Sequence, residues 1–259
     1  MINFHDWPEE RAQSYPEVFD IVERLVKPVR AQNSRAARRD RWWQFAERAP
    51  KLYEAVRELD RVLVVARVSR TAMPAMVPTG QVMNEKIVVF PTDQPEMLAF
   101  LDSTFHSLWA WNYSATLKTD LQYAPSDVFE TLPLPRTGNT TLRDLGNLLG
   151  DTRTKIMRER GEGLTKLYNA IHDDSVIDSG VRQLRDIHES VDRAIAESYG
   201  WPDLDITHGF HKVRRGQQHT LAPNVQVEII DRLLELNHGR HNSEVEGAAS
   251  PSRPHMSAG

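Results

Sequence analysis

Between Leu117 and Tyr123 the chain alternates, with Lys118, Asp120 and Gln122 interleaved among Leu117, Thr119, Leu121 and Tyr123. On a strand, successive side chains point to opposite faces, so the three polar tips would stand side by side on one face. Their chemistry suits base edges. An ammonium donates to guanine acceptors, a carboxylate accepts from the cytosine amino group, and an amide can bridge adenine. A plain surface strand with a charge pair and a solvated amide has the same pattern, and alternation alone leaves both readings open. Ala124-Pro125-Ser126-Asp127 follows and predicts a turn into a helix, with Ser126 as its N-cap. Phe129 and Glu130 fall in its first turns, and Pro133 and Pro135 end it.

A second group of residues suits phosphate. Arg30, Arg35, Arg38, Arg39 and Arg41 form a basic run broken by Asp40, with Trp42, Trp43 and Phe45 directly after it. Arg35, Arg38, Arg39 and Arg41 are candidate backbone contacts, as are Arg67, Ser69 and Arg70 where a strand exits into a loop. Each neutralised phosphate adds a salt-dependent, sequence-independent increment to binding. A solvated helix face also explains the arginine run, and core packing explains the tryptophans.

These residues need elements to hold them. Val18, Ile21, Val22, Leu25, Val26 and Val29 recur at helical spacing and predict a helix over 15–32, entered at Pro16 and bent or ended at Pro28. Pro50 opens a short helix to Leu59. Val62–Val68 and Lys86–Phe90 read as strands, with Pro74, Pro78 and Gly80 marking turns or an irregular edge between them. One long helix is expected from Gln94 or Pro95 to about Ser114, with Met97, Leu98, Leu101, Phe105, Leu108 and Trp109 inward. Further helices are expected at Leu142–Arg160, Leu164–Ala170, Val181–Tyr199 and Val225–Arg240. Gly138 and Asn139 suggest a boundary. The expected architecture is therefore α+β: a mixed α/β domain over 1–137, a helical domain over 138–241, and a disordered tail over 242–259.

Composition narrows the chemistry. The 259 residues contain no cysteine, which excludes disulfides and thiolate zinc sites and suits a cytoplasmic setting. No apolar run approaches a membrane span, and the acidic start does not resemble a signal peptide. A net charge of −4 argues against a uniformly basic nucleic-acid binder, though not against a local patch. There is no Asn-Pro or Asp-Pro dipeptide, no Glu-x-Lys and no G-x-S-x-G. Gly161-Glu162-Gly163 lacks a third glycine and a preceding strand, so it is no cofactor loop. His208 and His211 are three apart in an expected loop, but no further ligands accompany them. A self-contained catalyst is not expected.

Several motifs in order resemble one family. I-N-F-H-D-W-P-E-E near the start, R-W-W-Q-F-A-E-R-A-P-K-L at Arg41–Leu52, L-D-R-V-L-V-V-A-R-V-S at Leu59–Ser69 and F-E-T-L-P-L-P at Phe129–Pro135 are similar to the target-recognition region of MmeI-like (type IIL/IIG) restriction–modification proteins and related adenine-specific DNA methyltransferases. Leu164–Asn169 and Ser198–Trp201 resemble their helical C-terminal region. Ala49 and Leu132 depart from the pattern, standing where arginine and phenylalanine are common.

The resemblance implies a DNA target-recognition domain followed by a helical domain, with double-stranded DNA as partner. It places the base-reading side chains at Lys118, Asp120 and Gln122. It further implies that S-adenosylmethionine and the N-P-P-Y-type loop belong to a methyltransferase core, as a domain or separate subunit, and that this chain starts near the point where such a core ends. No cofactor site is expected in this chain. A non-catalytic protein-interaction module, or a decayed fragment without DNA binding, is the alternative expectation.

Overall fold

The structure, a computed structural model, describes residues 1–46, 48–135, 140–213 and 215–249. Two compact units emerge, one from Met1–Asp60 with Pro78–Asn84, the other from Arg61–Val77 with Glu85–Gly259. The sequence boundary expected at 137/138 lies outside the described residues. Within the described residues no helix is long and apolar enough to cross a membrane.

Among its described residues the first unit carries five short helices: α1 Glu9–Gln13, α2 Pro16–Leu25, α3 Lys27–Ala31, α4 Ala36–Asp40 and α5 Pro50–Ala55. The helix expected over 15–32 is interrupted at Val26. Pro28 lacks an N–H and settles in the first turn of α3, where none is needed, so a new helix starts instead of the old one bending. Phe4, Ala12, Phe19, Val22 and Trp42 form the core. Trp43 packs against it, and its indole N–H donates to the Trp7 carbonyl at 2.9 Å. The tryptophans are thus packed, as their sequence context suggested. Most of the apolar stripe of α2 and α3 is not: Val18, Ile21, Leu25 and Val29 are 36%, 39%, 61% and 71% exposed.

The strands that follow are β1 Arg61–Ala66, β2 Val68–Ser69, β3 Pro74–Pro78 and β4 Ile87–Phe90, all in the second unit but for Pro78. Next come α6 Pro95–Leu101, α7 Thr104–Tyr113, β5 Ala115–Leu117, β6 Asp120–Gln122 and α8 Pro125–Val128. The C-terminal half holds α9 Thr140–Arg160, α10 Leu164–Ile171, α11 Ser179–Tyr199, β7 His208–Val213, β8 Gly216–Leu221 and α12 Pro223–Ala249. Sheet orders are β3-β1-β4, β2-β6-β5 and β7-β8. The class is the expected one, mixed helices and small antiparallel sheets with a helical C-terminal part.

Four local expectations are corrected. The strand over 62–68 divides at Arg67, because the chain changes partners there. Arg67 N–H still donates to Lys86 beside β4, while its carbonyl already accepts from Tyr123 beside β6. The long helix breaks at Asp102 and Ser103. Ser103 is extended, caps α7 by accepting from the His106 N–H, and its hydroxyl donates to the Phe100 carbonyl. Ser126 is no N-cap: α8 begins at Pro125, whose ring presets the first helical φ, and the Ser126 hydroxyl turns to Asp127. Finally, α12 runs to Ala249, past the expected end at Arg240. No proline interrupts 241–249, and the Ser243 hydroxyl bonds the Gly239 carbonyl within the helix. Positions 250–259 lie outside the described residues.

A single hydrophobic core unites the second unit. It joins Leu63, Phe90 and Leu121 to Leu149, Ile195 and Leu233, so the C-terminal helices pack with the sheets that precede them.

Candidate nucleic-acid interface

The alternating segment is a hairpin. Lys118 and Thr119 form the turn between β5 and β6, with register Leu117↔Asp120, Thr116↔Leu121 and Ala115↔Gln122. Lys118 has φ 58 and is the only one of the pair with positive φ, the sign pattern of a type II′ turn. Such a turn is usually announced by glycine at that place, and its absence hid the reversal in the sequence. The expected straight strand from 117 to 123 is therefore folded back. Leu117, expected on the apolar face, is 53% exposed.

Alternation does hold along β6. Leu121 and Tyr123 are buried, Gln122 is exposed and Asp120 half-buried. Directly paired residues share a face. Asp120 and Gln122 therefore stand with Leu117, Ala115 and Val68 on one solvent-facing surface of the three-stranded sheet. Lys118 sits apart from that face, at the hairpin tip.

The hairpin is held from behind by a buried histidine. The His106 Nδ1–H faces the Leu101 carbonyl at 2.6 Å, which leaves Nε2 to accept from the Tyr123 hydroxyl at 2.8 Å. The neutral tautomer with its proton on Nδ1 satisfies both ring nitrogens. Burial, partly opposed by the bond to Leu101, holds the His106 pKa down to about 4. Burial likewise lowers His219 to about 4, and burial with the Arg215 charge lowers His172 to about 3. The unfolded chain therefore binds more protons than the folded one between these values and the ordinary histidine range, so stability is lost as pH falls through that window. His106 alone should account for about 3 kcal/mol between pH 7 and pH 4. Urea melts over this range should show the decline, and a flat profile would refute the buried neutral assignment.

The other named residues are distributed as follows. Arg70 is exposed and has no hydrogen bond or ion pair among the described residues. Arg67 is anchored, its Nε donating to the Glu85 carbonyl at 2.9 Å, and the Ser69 hydroxyl accepts from the Thr71 N–H at 3.2 Å. Arg35, Arg38, Arg39 and Arg41 belong to the first unit, on and around α4. Arg39 is committed to the Asn33 and Ser34 carbonyls at 2.7 and 3.0 Å. Positive charge is concentrated there: burial, then the neighbouring Arg38, lowers the pKa of Arg30.

Arg70 and Lys118 are brought together at the rim of a cleft of about 530 Å³. Its other walls include Trp111, Asn169, Gln217 and Gln218, which sequence reading did not single out. No pattern marks them, because the fold collects them from α7, α10 and β8. A smaller cavity of about 80 Å³ shares Thr71, His172, Arg215 and Gln218 with the cleft. His208 and His211 prove to be on β7 and not in a loop, and His208 Nε2 lies 2.8 Å from Asp192. Among the described residues no group of three or more His, Cys, Asp or Glu could hold a metal ion. Gly161 and Gly163 link α9 to α10, so they offer no strand-to-helix cradle for a cofactor.

An exposed hairpin sheet carrying hydrogen-bonding side chains, beside a cationic cleft, is an arrangement suited to reading another molecule's surface. The chain belongs to the MmeI target recognition domain family, matching it over residues 2–136. Its fold is similar to that of a solved type IIL restriction-modification enzyme, MmeI, in complex with DNA. The TM-score is 0.63 at 14% identity, over 93% of this chain and 28% of that one. The chain thus spans less than a third of that enzyme's length. No curated protein matches.

Proposed function

We propose that this chain is the DNA target-recognition part of a restriction–modification enzyme, with the β2-β6-β5 sheet as its reading face. The observation that carries the reading is the pair Asp120 and Gln122, presented together on an exposed antiparallel ribbon within the family-matched region. Past the short β2, which pairs only with Leu121 and Gln122, the β5-β6 hairpin is a two-stranded ribbon of the kind the major groove admits, where a carboxylate can accept from cytosine and an amide can bridge adenine. Exposed Leu117 and Val68 flank them and suit a thymine methyl. The basic surface around α4, with Arg35, Arg38 and Arg41, supplies phosphate contacts in this reading. S-adenosylmethionine and methyl transfer to adenine are assigned to a methyltransferase core outside this chain. The exposed stripe of Val18, Ile21, Leu25 and Val29 is the face given to that core.

Selection from a randomised duplex library, with and without a candidate core subunit, tests the reading. Enrichment of a defined site is expected. Gln122→Ala and Asp120→Ala should each relax preference at one base pair by about 1–3 kcal/mol while leaving the rest of the site unchanged. No DNA binding at low salt, in either setting, would overturn it.

A further inference from the structure

The cleft beside the hairpin is not needed to read bases, yet its lining is unusual. Arg70 and Lys118 approach it from the recognition part, and Asn169 and Gln217 from the C-terminal half. Among the described residues no carboxylate lines it. Neither Arg70 nor Lys118 has a hydrogen bond or ion pair among the described residues, so both cations are uncommitted. The Gln217 amide is braced by Asp174 at 2.9 Å and retains its second N–H. Deeper in, the Arg215 guanidinium lies 5.1 Å over the Trp111 ring and donates to the Ser107 hydroxyl at 3.3 Å. Burial lowers its pKa only to about 10, so it remains charged at neutral pH. Among the described residues the buried Trp111 indole N–H and His172 Nδ1 have no hydrogen-bond partner. A cationic, donor-rich cleft whose nearest described carboxylate, Asp174, is bonded to Gln217 suits an anion, and its volume exceeds what a bare ion needs.

We infer that this cleft seats a backbone phosphate and its sugar from the bound DNA, held by Arg70 and Lys118 and oriented by Asn169 and Gln217. The inference rests on the DNA-binding reading above and extends it to the C-terminal half, beyond the family-matched residues 2–136. It also gives Lys118 a different task from Asp120 and Gln122. Lys118 sets the register of the ribbon on the duplex through a phosphate and carries no sequence information.

Salt dependence separates these roles. The full chain is titrated with a mixed-sequence duplex of about 20 base pairs between roughly 50 and 200 mM salt. Each phosphate that is no longer neutralised should lower the slope of log affinity against log salt by roughly 0.9. The double variant Arg70→Gln with Lys118→Gln removes both cations from that one phosphate and is expected to reduce the slope by about 0.9, equally on every sequence. Asn169→Ala and Gln217→Ala should weaken binding about two- to tenfold across all sequences, with the slope intact. All four side chains are exposed, so melting temperatures should stay at the wild-type value.

An unchanged slope in the double variant overturns the phosphate assignment. So does a preference change confined to one base pair. Full affinity in both amide variants removes the C-terminal half from the interface. In each of these cases wild-type binding and the effects of Gln122→Ala leave the reading face standing. Failure of the wild-type chain to bind any duplex overturns that reading itself, and the cleft with it.

Discussion

Replacing Gly146 by alanine should destabilise the protein by more than about 3 kcal/mol, beyond the usual range for an overpacked core. Gly146 lies on α9 where it crosses the start of α6, and a Cβ there would stand 1.9 Å from the Pro95 carbonyl oxygen and 2.4 Å from its carbon. The obstacle is backbone, and Pro95 has a locked φ and opens a helix, so no rotamer change can relieve it. Alanine's better helix propensity, about 1 kcal/mol, cannot offset an overlap of that depth. Gly150, one turn further along α9, is the control. A Cβ there would meet only the end of the Leu98 side chain, at 3.3 Å. Gly150→Ala should lie within about 1 kcal/mol of wild type, because a flexible side chain can give way. Urea unfolding of both variants decides the matter. Equal stability of Gly146→Ala and wild type would mean that α6 and α9 do not pack as described.

Asp102→Ala should cost about 3–5 kcal/mol, the range for stripping one partner from a buried ion pair. The Arg153 guanidinium donates to Asp102 at 3.1 Å and to the Tyr168 hydroxyl at 3.1 Å, and that hydroxyl donates to Asp102 in turn. The two charged side chains are 5% and 3% exposed, so removal of the carboxylate leaves a guanidinium with neither water nor counter-charge. Asp102 caps the C-terminus of α6, one residue before the extended Ser103, and from there its carboxylate meets Arg153 of α9 and Tyr168 of α10. It thereby ties the family-matched residues to the C-terminal half. The pair Asp102→Leu with Arg153→Met should recover most of the stability, because apolar replacement of both charges removes the desolvation penalty along with the attraction. A cost below about 1 kcal/mol for Asp102→Ala, in thermal or urea melts, would show that the two charges are solvated.

Local signals were legible wherever local chemistry decides. The β-branched run at 62–66 forms β1, the run at 87–90 forms β4, and the periodic segments form α9, α10 and α11 within two or so residues of their expected limits. Prolines marked the openings of α2, α5 and α6 for a related reason, since a fixed φ acts before any tertiary contact. The β7-β8 hairpin was missed. Its alternation is weak and half polar, and its strands are stabilised by packing on the C-terminal helices rather than by their own composition.

The sequence by itself determined the class of element at most positions, the absence of cysteine chemistry, and the ordered motifs that carry the family. It also singled out Asp120 and Gln122, because a period of two survives in any strand containing them. Only the tertiary structure decided that the chain reverses at Lys118, which removes that side chain from their face and sends it to the cleft. It alone decided that Arg70 and Lys118 meet Asn169 and Gln217, residues separated by up to 147 positions between Arg70 and Gln217. The turn position without glycine and the cleft walls drawn from separate elements depend on partners distant in sequence. Periodicity reports what a residue does relative to its neighbours in the chain, and these features were set by neighbours in space.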